Sequence, residues 1–577
     1  MDIKQLDGPL SVAGQLAADD VARLAEQGVA ALVCVRPDDE EGPAYPKSEE
    51  MARLASEHGL RWYFAPIRGT EVTEEAIAEL EQAERDQSAA GSATDGPAIV
   101  AYCRSGRRVA LTWALARVRH GQGVDDVVAQ AGAAGHDLSG FRDRLLEEAA
   151  RGKPAAAPAD PSPAEPALRH DVVIVGGGSA GLATAASLLK RRPSLTVGVI
   201  EPSEEHWYQP GLTLCGTGHF DPKELSRHEA DVMPEGAEWI RAAAAAFEPE
   251  AKAVVLDDGR RVAYRALVVA PGLTLDWDGI EGAREALGSH GVCCNYSPQH
   301  APYTWEQIRA LRRGTALFTQ PPMPIKCAGA PQKALYLASD RWLKAGVLGD
   351  VDVQFHNAGG VLFGVEHFVP VLMRYVERYG ASLHFGSTLV AVDGRAKVAR
   401  FRGKGEGETP VEREVNFDFL HFVPPQKAPA FVAESPLAAD SGWFEVDPVT
   451  LQHPRHPEVF GAGDVISASN AKTMAAARKH APVVAENLLA QLDGRALPMG
   501  YDGYGACPLT VEAGKVVLAE FGYGGKLLPT FPMEPAVPRY SQWVLKRYLM
   551  PMIYWDMMLK GREWYAGPRP VAEATAA

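Results

Sequence analysis

Cysteine is scarce in this chain, with seven in 577 residues, at positions 34, 103, 215, 293, 294, 327 and 507. They are too few for a disulfide framework and lack the paired CxxC spacing of a zinc site. No metal centre is expected, and a cysteine that matters here is read as redox-active or nucleophilic. Long apolar runs are missing too, since nothing approaches the roughly 18 consecutive apolar residues of a spanning helix. The first residues, MDIKQLDGPL, carry neither the basic stretch nor the apolar core of a secretion signal, which predicts a cytoplasmic protein. Excess positive charge is also absent. Lys and Arg number 58 against 73 Asp and Glu, a formal charge of -15 with no basic stripe, and this excludes nucleic acid as a partner.

What is present is an ordinary globular composition, 46% hydrophobic and 23% charged, in a chain long enough for three or four packing units. Residues 151–168, RGKPAAAPADPSPAEPAL, are nearly all Ala, Pro and charge, a stretch that buries no core and acts as a tether. The expected parts are residues 1–150, this linker, a larger body at 169–540 and an amphipathic segment at 541–577.

The larger body opens on a dinucleotide-binding pattern. DVVIV (171–175) reads as a buried parallel strand, Gly176, Gly178 and Gly181 complete GxGxxG, and residues 182–190 have helical spacing. The glycines allow a tight turn, close approach of a pyrophosphate to backbone amides, and close helix packing. A second strand, LTVGVIEP, ends on Glu201, where an acid accepts hydrogen bonds from a ribose. Two later runs resemble flavoprotein signatures. YRALVVAPG (264–272), ending on Pro271 and Gly272, is similar to the strand that returns the chain to an FAD domain, and VFGAGDV (459–465) carries Asp464 where relatives bind the flavin ribityl chain. The expectation is an α/β fold with two nested Rossmann-type units and FAD as cofactor. After the strand GTALFTQP the second unit reads PPMPIKCAGAPQK instead of a glycine-rich phosphate turn, which argues against direct NAD(P)H oxidation.

The runs HWYQPGLTLCGTG (206–218), GVCCNYSPQHAPYTWE (291–306), FTQPPMPIKCAGAPQKALYLASD (318–340) and YDGYGACPLT (501–510) resemble the mitochondrial-type branch of the sulfide:quinone oxidoreductases, and the likeness extends over nearly all of residues 169–565. It implies two cysteines flanking FAD as a redox disulfide or polysulfide bridge. Sulfide or a persulfide attacks one sulfur, and two electrons pass through FAD to a quinone. Cys327 holds the first family position, with Lys326 and a following helix start favouring its thiolate.

The second family cysteine is expected after the Gly-Asp of the flavin motif, where this chain has Val465. Three outcomes stay open. Cys215 or the Cys293–Cys294 pair replaces the partner, Cys327 works with an external thiol or persulfide, or sulfide oxidation is lost and the protein is an NAD(P)H oxidoreductase or a sulfur sensor. Lys472 and Thr473 fall where relatives face the flavin pyrimidine edge and the quinone pocket. Lys472 is therefore a cofactor-binding candidate, with a solvated lysine as the other reading. Residues 543–565, rich in Trp, Tyr and Met among Lys and Arg and interrupted by Pro551, suit a helix pair lying in a bilayer interface. A core helix or a homodimer helix is the alternative. Peripheral contact with the inner face of the cell membrane fits a lipid-soluble quinone.

The N-terminal part has its own chemistry. The strand AIVAYC (98–103) runs into CRSGRR and a helical pattern, so Cys103 lies at the base of an anion-binding loop with Arg108 at its far end. Such a cysteine is expected to be a nucleophile of low pKa. The loop is one residue shorter than that of tyrosine phosphatases and resembles the active-site loop of rhodanese-type sulfurtransferases. With VCVRPDDEE (33–41) it also looks like the phosphatase-fold domain of sulfur-metabolising hydrolase-like proteins. The resemblance implies that Cys103 accepts or relays sulfane sulfur. A phosphatase and a silent anion-binding module are the other readings.

Overall fold

The computed structural model describes residues 3–7, 10–38, 40, 46–89, 99–119, 122–151, 168–404 and 409–576. The linker expected at 151–168 lies outside them except for its two end residues. The chain divides into two compact units, Met1–Ala164 and Glu165–Ala577.

The first unit is built on strands β1 (Ile3–Asp7), β2 (Leu10–Ala13), β3 (Ala31–Cys34), β4 (Arg61–Phe64) and β5 (Ile99–Tyr102), in the order β1-β2-β5-β3-β4. All neighbours are parallel except the β1–β2 edge. Strands β2, β3 and β5 are buried at every position, as a parallel sheet covered on both faces requires. The chain leaves β5 through Cys103 and enters helix α1 (Arg107–Arg119).

In the second unit, β6 (Leu168–Val175) leads into helix α2 (Ser179–Arg191) and β7 (Val197–Ile200), followed by β8 (Ala237–Ile240), β9 (Ala244–Glu248), β10 (Ala253–Leu256) and β11 (Arg261–Val269). A second, wholly parallel sheet follows, made of β12 (Val292–Cys293), β13 (Gly314–Gln320), β14 (Val351–Asn357), β15 (Ser382–Phe385) and β16 (Phe419–His421) in the order β12-β16-β13-β14-β15. Helix α3 (Ala330–Lys344) lies between β13 and β14 in the chain. The chain then returns to the first sheet with β17 (Val459–Gly461), which pairs in parallel with β11, and continues into helix α4 (Met474–Leu492).

This nesting brings three distant segments to one edge. Val269 of β11 lies opposite both Val175 of β6 and Gly461 of β17, so the glycine-rich turn, Pro271–Gly272 and Gly463–Asp464 all leave the same end of the sheet. Gly176 has φ +103°, and a Cβ there would sit 2.4 Å from the Ala270 carbonyl oxygen. A Cβ on Gly181 would sit 1.8 Å from the Gly176 carbonyl oxygen, so α2 can approach the turn only without a side chain. At Gly178 a Cβ would meet nothing within 4 Å, leaving the mouth of the turn open to a ligand.

A hairpin of β18 (Gly505–Glu512) and β19 (Lys515–Phe521) packs against α3 and carries Cys507 opposite Ala519. The C-terminal segment differs from expectation. Residues Tyr540–Lys560 are one helical run, with wide π turns at Leu545–Leu549 and Ile553–Met557 on either side of Met550–Met552. Pro551 cannot donate to the carbonyl one turn back, and the run widens there instead of breaking into two helices. Tyr554, Trp555, Met558 and Leu559 are buried in the same core as α2, whereas Tyr548, Leu549 and Met552 are exposed. Among the described residues, no helix is long and apolar enough to cross a membrane.

Gly181→Ala is expected to displace the turn and cost roughly 1–3 kcal/mol of stability through overpacking. The purified variant should show a lower melting temperature and little bound flavin while its far-ultraviolet circular dichroism stays close to that of the parent.

Candidate active site

A cavity of about 230 Å³ opens at the shared edge of the second unit. Gly178, Ser179, Pro271, Gly272 and Asp464 line it together with Cys327, Lys333, Lys472 and Lys546. Glu201, just beyond β7, accepts hydrogen bonds from the Gly177 amide and the Ser203 amide, each at 2.8 Å. A carboxylate has further lone pairs for ribose hydroxyls. Burial raises its pKa, and burial likewise raises that of Asp464, against the pull of Lys472 and Lys326. The open space over Gly178 at the start of α2 and the acid at the end of β7 fit an adenosine diphosphate moiety, and Asp464 with Pro271–Gly272 extends the cradle toward the cavity.

Lys472 is buried, which rules out the solvated reading. Its ammonium donates to the carbonyl oxygens of Asp464 at 2.7 Å and Ile466 at 2.9 Å and lies 4.0 Å from the centre of the Trp443 ring. Burial pulls its pKa down to about 8. Its first task is to hold the Gly-Asp turn, while Thr473 caps α4 by accepting from the Ala476 amide.

Cys327 sits in the turn between β13 and α3 with φ +51°. Its amide donates to the Lys472 carbonyl at 2.8 Å, and its carbonyl accepts from Ala330 at 2.7 Å. Its sulfur lies 3.6 Å from the sulfur of Cys507. Position 465 holds no cysteine, and a thiol that the sequence reading did not consider lies beside Cys327 instead. That thiol comes from β18, 180 residues away in the chain, and Val465 is a core residue of the turn after β17. Cys215, Cys293 and Cys294 are engaged elsewhere. Cys215 is buried in the short helix Leu212–Cys215, Cys293 donates to the Gly291 carbonyl, and Cys294 accepts from the Tyr296 amide. Burial pushes the Cys215 thiol up to about 11 and the Cys294 thiol up to about 12.

The cation on Cys327 is also not the one expected. Lys326 reaches Gln209 at 2.7 Å, whereas Lys333, one turn into α3, places its ammonium 3.0 Å from the Cys327 sulfur and 3.9 Å from that of Cys507. The Cys507 thiol and Lys333 together hold the Cys327 pKa well below the usual thiol range, against burial. Cys507, next to that thiolate and buried, is raised. Lys546 of the C-terminal helix donates to the Pro508 carbonyl at 3.0 Å and to the Thr510 hydroxyl, and burial beside Lys333 pulls its pKa well down. Gly329 makes the approach of the hairpin feasible, because a Cβ there would lie 2.5 Å from the Cys507 sulfur.

In the first unit, Cys103 is fully buried and accepts from the Gly106 amide at 3.2 Å. Arg108 donates to the Ile67 carbonyl at 2.7 Å and to both Glu40 carboxylate oxygens at 2.8 and 2.6 Å. Despite burial its pKa is raised by Glu40 and by Cys103, so the guanidinium is oriented by an acid that the sequence reading did not assign. Arg104, Ser105 and Arg107 are exposed around the loop.

A direct check on the thiol pair is alkylation of the reduced protein by iodoacetamide, followed by mass spectrometry of the Cys327 peptide. The parent should react at a nearly constant rate from about pH 6 upward, because its thiolate is already formed below the free-thiol pKa of about 8.5. Lys333→Ala removes the cation but leaves the Cys507 thiol, so the pH at which its rate levels off should move upward from that of the parent without reaching that value.

Residues 170–309 match the family described as pyridine nucleotide-disulphide oxidoreductase, and residues 2–119 match the phosphatase-like domain of beta-lactamase hydrolase-like proteins. Over 398 residues the chain is 39% identical to the mitochondrial sulfide:quinone oxidoreductase of Dictyostelium discoideum, covering 68% of this chain and 86% of that one. The mitochondrial sulfide:quinone oxidoreductase of Mus musculus is 35% identical over 403 residues, covering 69% and 88%. The crystal structure of the sulfide:quinone oxidoreductase of Aquifex aeolicus superposes with a TM-score of 0.56 at 19% identity, over 69% of this chain and 92% of that one, a likeness of fold. With the α/β architecture, the flavin cradle and the paired thiols described above, the chain belongs to the sulfide:quinone oxidoreductase family of FAD-dependent oxidoreductases and carries a phosphatase-like domain ahead of that body.

Proposed function

We propose that the second unit oxidises sulfide or a persulfide at the Cys327–Cys507 pair, passes the electrons to a quinone, and delivers the sulfane sulfur to Cys103 of the first unit. The observation that carries this reading is the 3.6 Å approach of the two sulfurs beside the Lys333 ammonium. A further closing of about 1.5 Å would give a disulfide bond of about 2.05 Å. In the oxidised pair, HS⁻ attacks the Cys507 sulfur, the disulfide breaks, and Cys327 leaves as the thiolate. Cys327 is the better leaving group because its pKa is the lower of the two and Lys333 balances its charge.

The proton of HS⁻ is released, and Cys507 is left carrying the persulfide. Attack of the Cys103 thiolate on the outer sulfur forms a persulfide on Cys103 and frees the Cys507 thiolate. Bound FAD supplies the two-electron acceptor that lets the two thiolates rejoin as a disulfide and that quinone reoxidises. The balance is HS⁻, the Cys103 thiolate, quinone and one proton giving the Cys103 persulfide and quinol.

Cradle residues for FAD are Gly176, Gly178, Gly181, Glu201, Pro271, Gly272 and Asp464, with Lys472 fixing the last of these. Against NAD(P)H stands the commitment of three amides of the second turn, since that of Lys326 donates to Gln426, that of Cys327 to Lys472 and that of Ala330 to Cys327. For Cys103 the support is the short loop before α1, with its exposed Arg104 and Arg107 and the Arg108 guanidinium, suited to an anionic sulfur donor. A bilayer surface is the source we assign to the quinone. Lys546 and Met550 face the cavity while Tyr548, Leu549 and Met552 of the same helix are exposed beside them.

The test is anaerobic stopped-flow absorbance with sulfide, followed by decylubiquinone. Sulfide should bleach the flavin of the parent and quinone should restore it, whereas Cys327→Ser and Cys507→Ser should both stay oxidised. Bleaching that survives in Cys507→Ser would remove that residue from the reaction, and bleaching by NADH but not sulfide would overturn the reading altogether. Cys103→Ser should bleach normally yet hold no cyanide-reactive sulfur on its first unit after turnover. Hydrolysis of p-nitrophenyl phosphate by the parent, with no such sulfur, would assign that unit to phosphate chemistry.

A further inference from the structure

A chain of polar groups, buried from Tyr554 onward, connects the glycine-rich turn to the C-terminal helix, and nothing in the reaction above uses it. The Ser179 hydroxyl, on the first residue of α2, lies 2.7 Å from the Tyr554 hydroxyl. The Tyr554 hydroxyl lies 2.6 Å from Nε2 of His206, and Nδ1 of His206 lies 3.0 Å from Oε2 of Glu229. Tyr554 is 0% exposed, His206 4% and Glu229 1%. Among the described residues the other Glu229 oxygen has no partner, and it sits where a Cβ on Gly177 would come within 2.5 Å, on the same side as Glu201. Both ends of the chain therefore meet the turn, one at Ser179 and one at Gly177.

Hydrogen-bond direction gives this chain a meaning. A diphosphate is an acceptor only, so beside it the Ser179 hydroxyl is useful as a donor and must itself accept from Tyr554. Tyr554 then accepts from His206 Nε2, and because Nδ1 faces the acceptor-only Glu229 carboxylate, this order requires a ring that carries a proton on both nitrogens. The donors then run outward from the doubly protonated ring that the Glu229 carboxylate holds, and Tyr554 is the link that comes from a helix more than 300 residues away in sequence.

We propose that the C-terminal helix is part of the flavin-nucleotide site: Tyr554, oriented by His206 and Glu229, aligns the Ser179 hydroxyl as a donor to the dinucleotide diphosphate, so that retention of the flavin depends on the seating of this helix. The inference rests on FAD occupying the Gly176–Gly181 turn. Tyr554 is a positioning residue that acts through Ser179. Because Lys546 and Met550 of the same helix line the cavity, one element both encloses the reaction site and holds its cofactor.

The experiment is a double-mutant cycle on the dissociation constant of FAD, read from flavin fluorescence on reconstitution of the apoprotein. Ser179→Ala and Tyr554→Phe should each weaken FAD about tenfold, and the double variant should also be weaker by about tenfold, because the second change removes a link already broken. Effects that multiply to about a hundredfold, or a Tyr554→Phe variant with the parent's affinity, would overturn the proposal. If Tyr554→Phe does not fold, His206→Gln with Ser179→Ala forms the same cycle with the same expected coupling. A parent that binds no FAD would defeat the flavin assignment itself, which separates that failure from this one.

Discussion

Two buried lysines and two buried or half-buried thiols share one corner of the second unit, and their charges have to balance. Lys333 and Lys546 are only 4% and 5% exposed. An ammonium so placed costs several kcal/mol unless paired or neutralised. Lys333 answers this by pairing with the Cys327 thiolate, and Lys546 by hydrogen bonds to Pro508 and Thr510 together with a lowered pKa. The balance holds in the reduced state. On the proposed cycle, disulfide formation removes the anion from beside Lys333 and leaves a buried cation facing the cavity. The oxidised site therefore attracts HS⁻ at the moment it can react with it, and repels nothing once the thiolate returns.

The two nucleotide-binding-type units show how far one supersecondary plan can diverge. Both place a turn between a parallel strand and a helix. In the first, glycines keep the backbone bare and leave space above Gly178. In the second, prolines, a lysine and Cys327 fill the corresponding turn, and its amides are engaged by Gln426, Lys472 and the turn itself. The same helix N-terminus that favours an anionic phosphate in one unit favours an anionic sulfur in the other.

Legibility followed distance along the chain. The fold class and the cofactor were readable because each depends on local signals: GxGxxG after an apolar strand, an acid at the end of the next strand, and two flavin-type runs in order. The thiol pair was not, because Cys507 reaches Cys327 only through the docking of a hairpin on α3, and a contact made by docking across 180 residues leaves no periodic trace. The signal available was the run YGACPLT itself, a short apolar stretch with a cysteine at its centre, whose strand is buried at every position but Pro508. Lys333 was missed in favour of Lys326 for a related reason. The adjacent residue points away along the turn, whereas the residue one helical turn onward comes back over the sulfur.

The widened turns around Pro551 have a geometric result that reaches beyond that proline. An α-helix repeats every 3.6 residues and a π turn is wider, so a run that alternates them repeats near every ~4. Lys546, Met550, Tyr554 and Met558 thus stay in one line along the inner side, and Tyr548, Met552, Asp556 and Lys560 stay in another along the outer side. An ordinary helix of this length would rotate the second half of each line out of register. The run therefore works as a flat ruler with two parallel edges, one reading the cavity and the nucleotide turn and the other left to the surroundings. A deletion of two residues within it, about half a turn, would swap those edges beyond the cut, a far larger change than any one substitution along either.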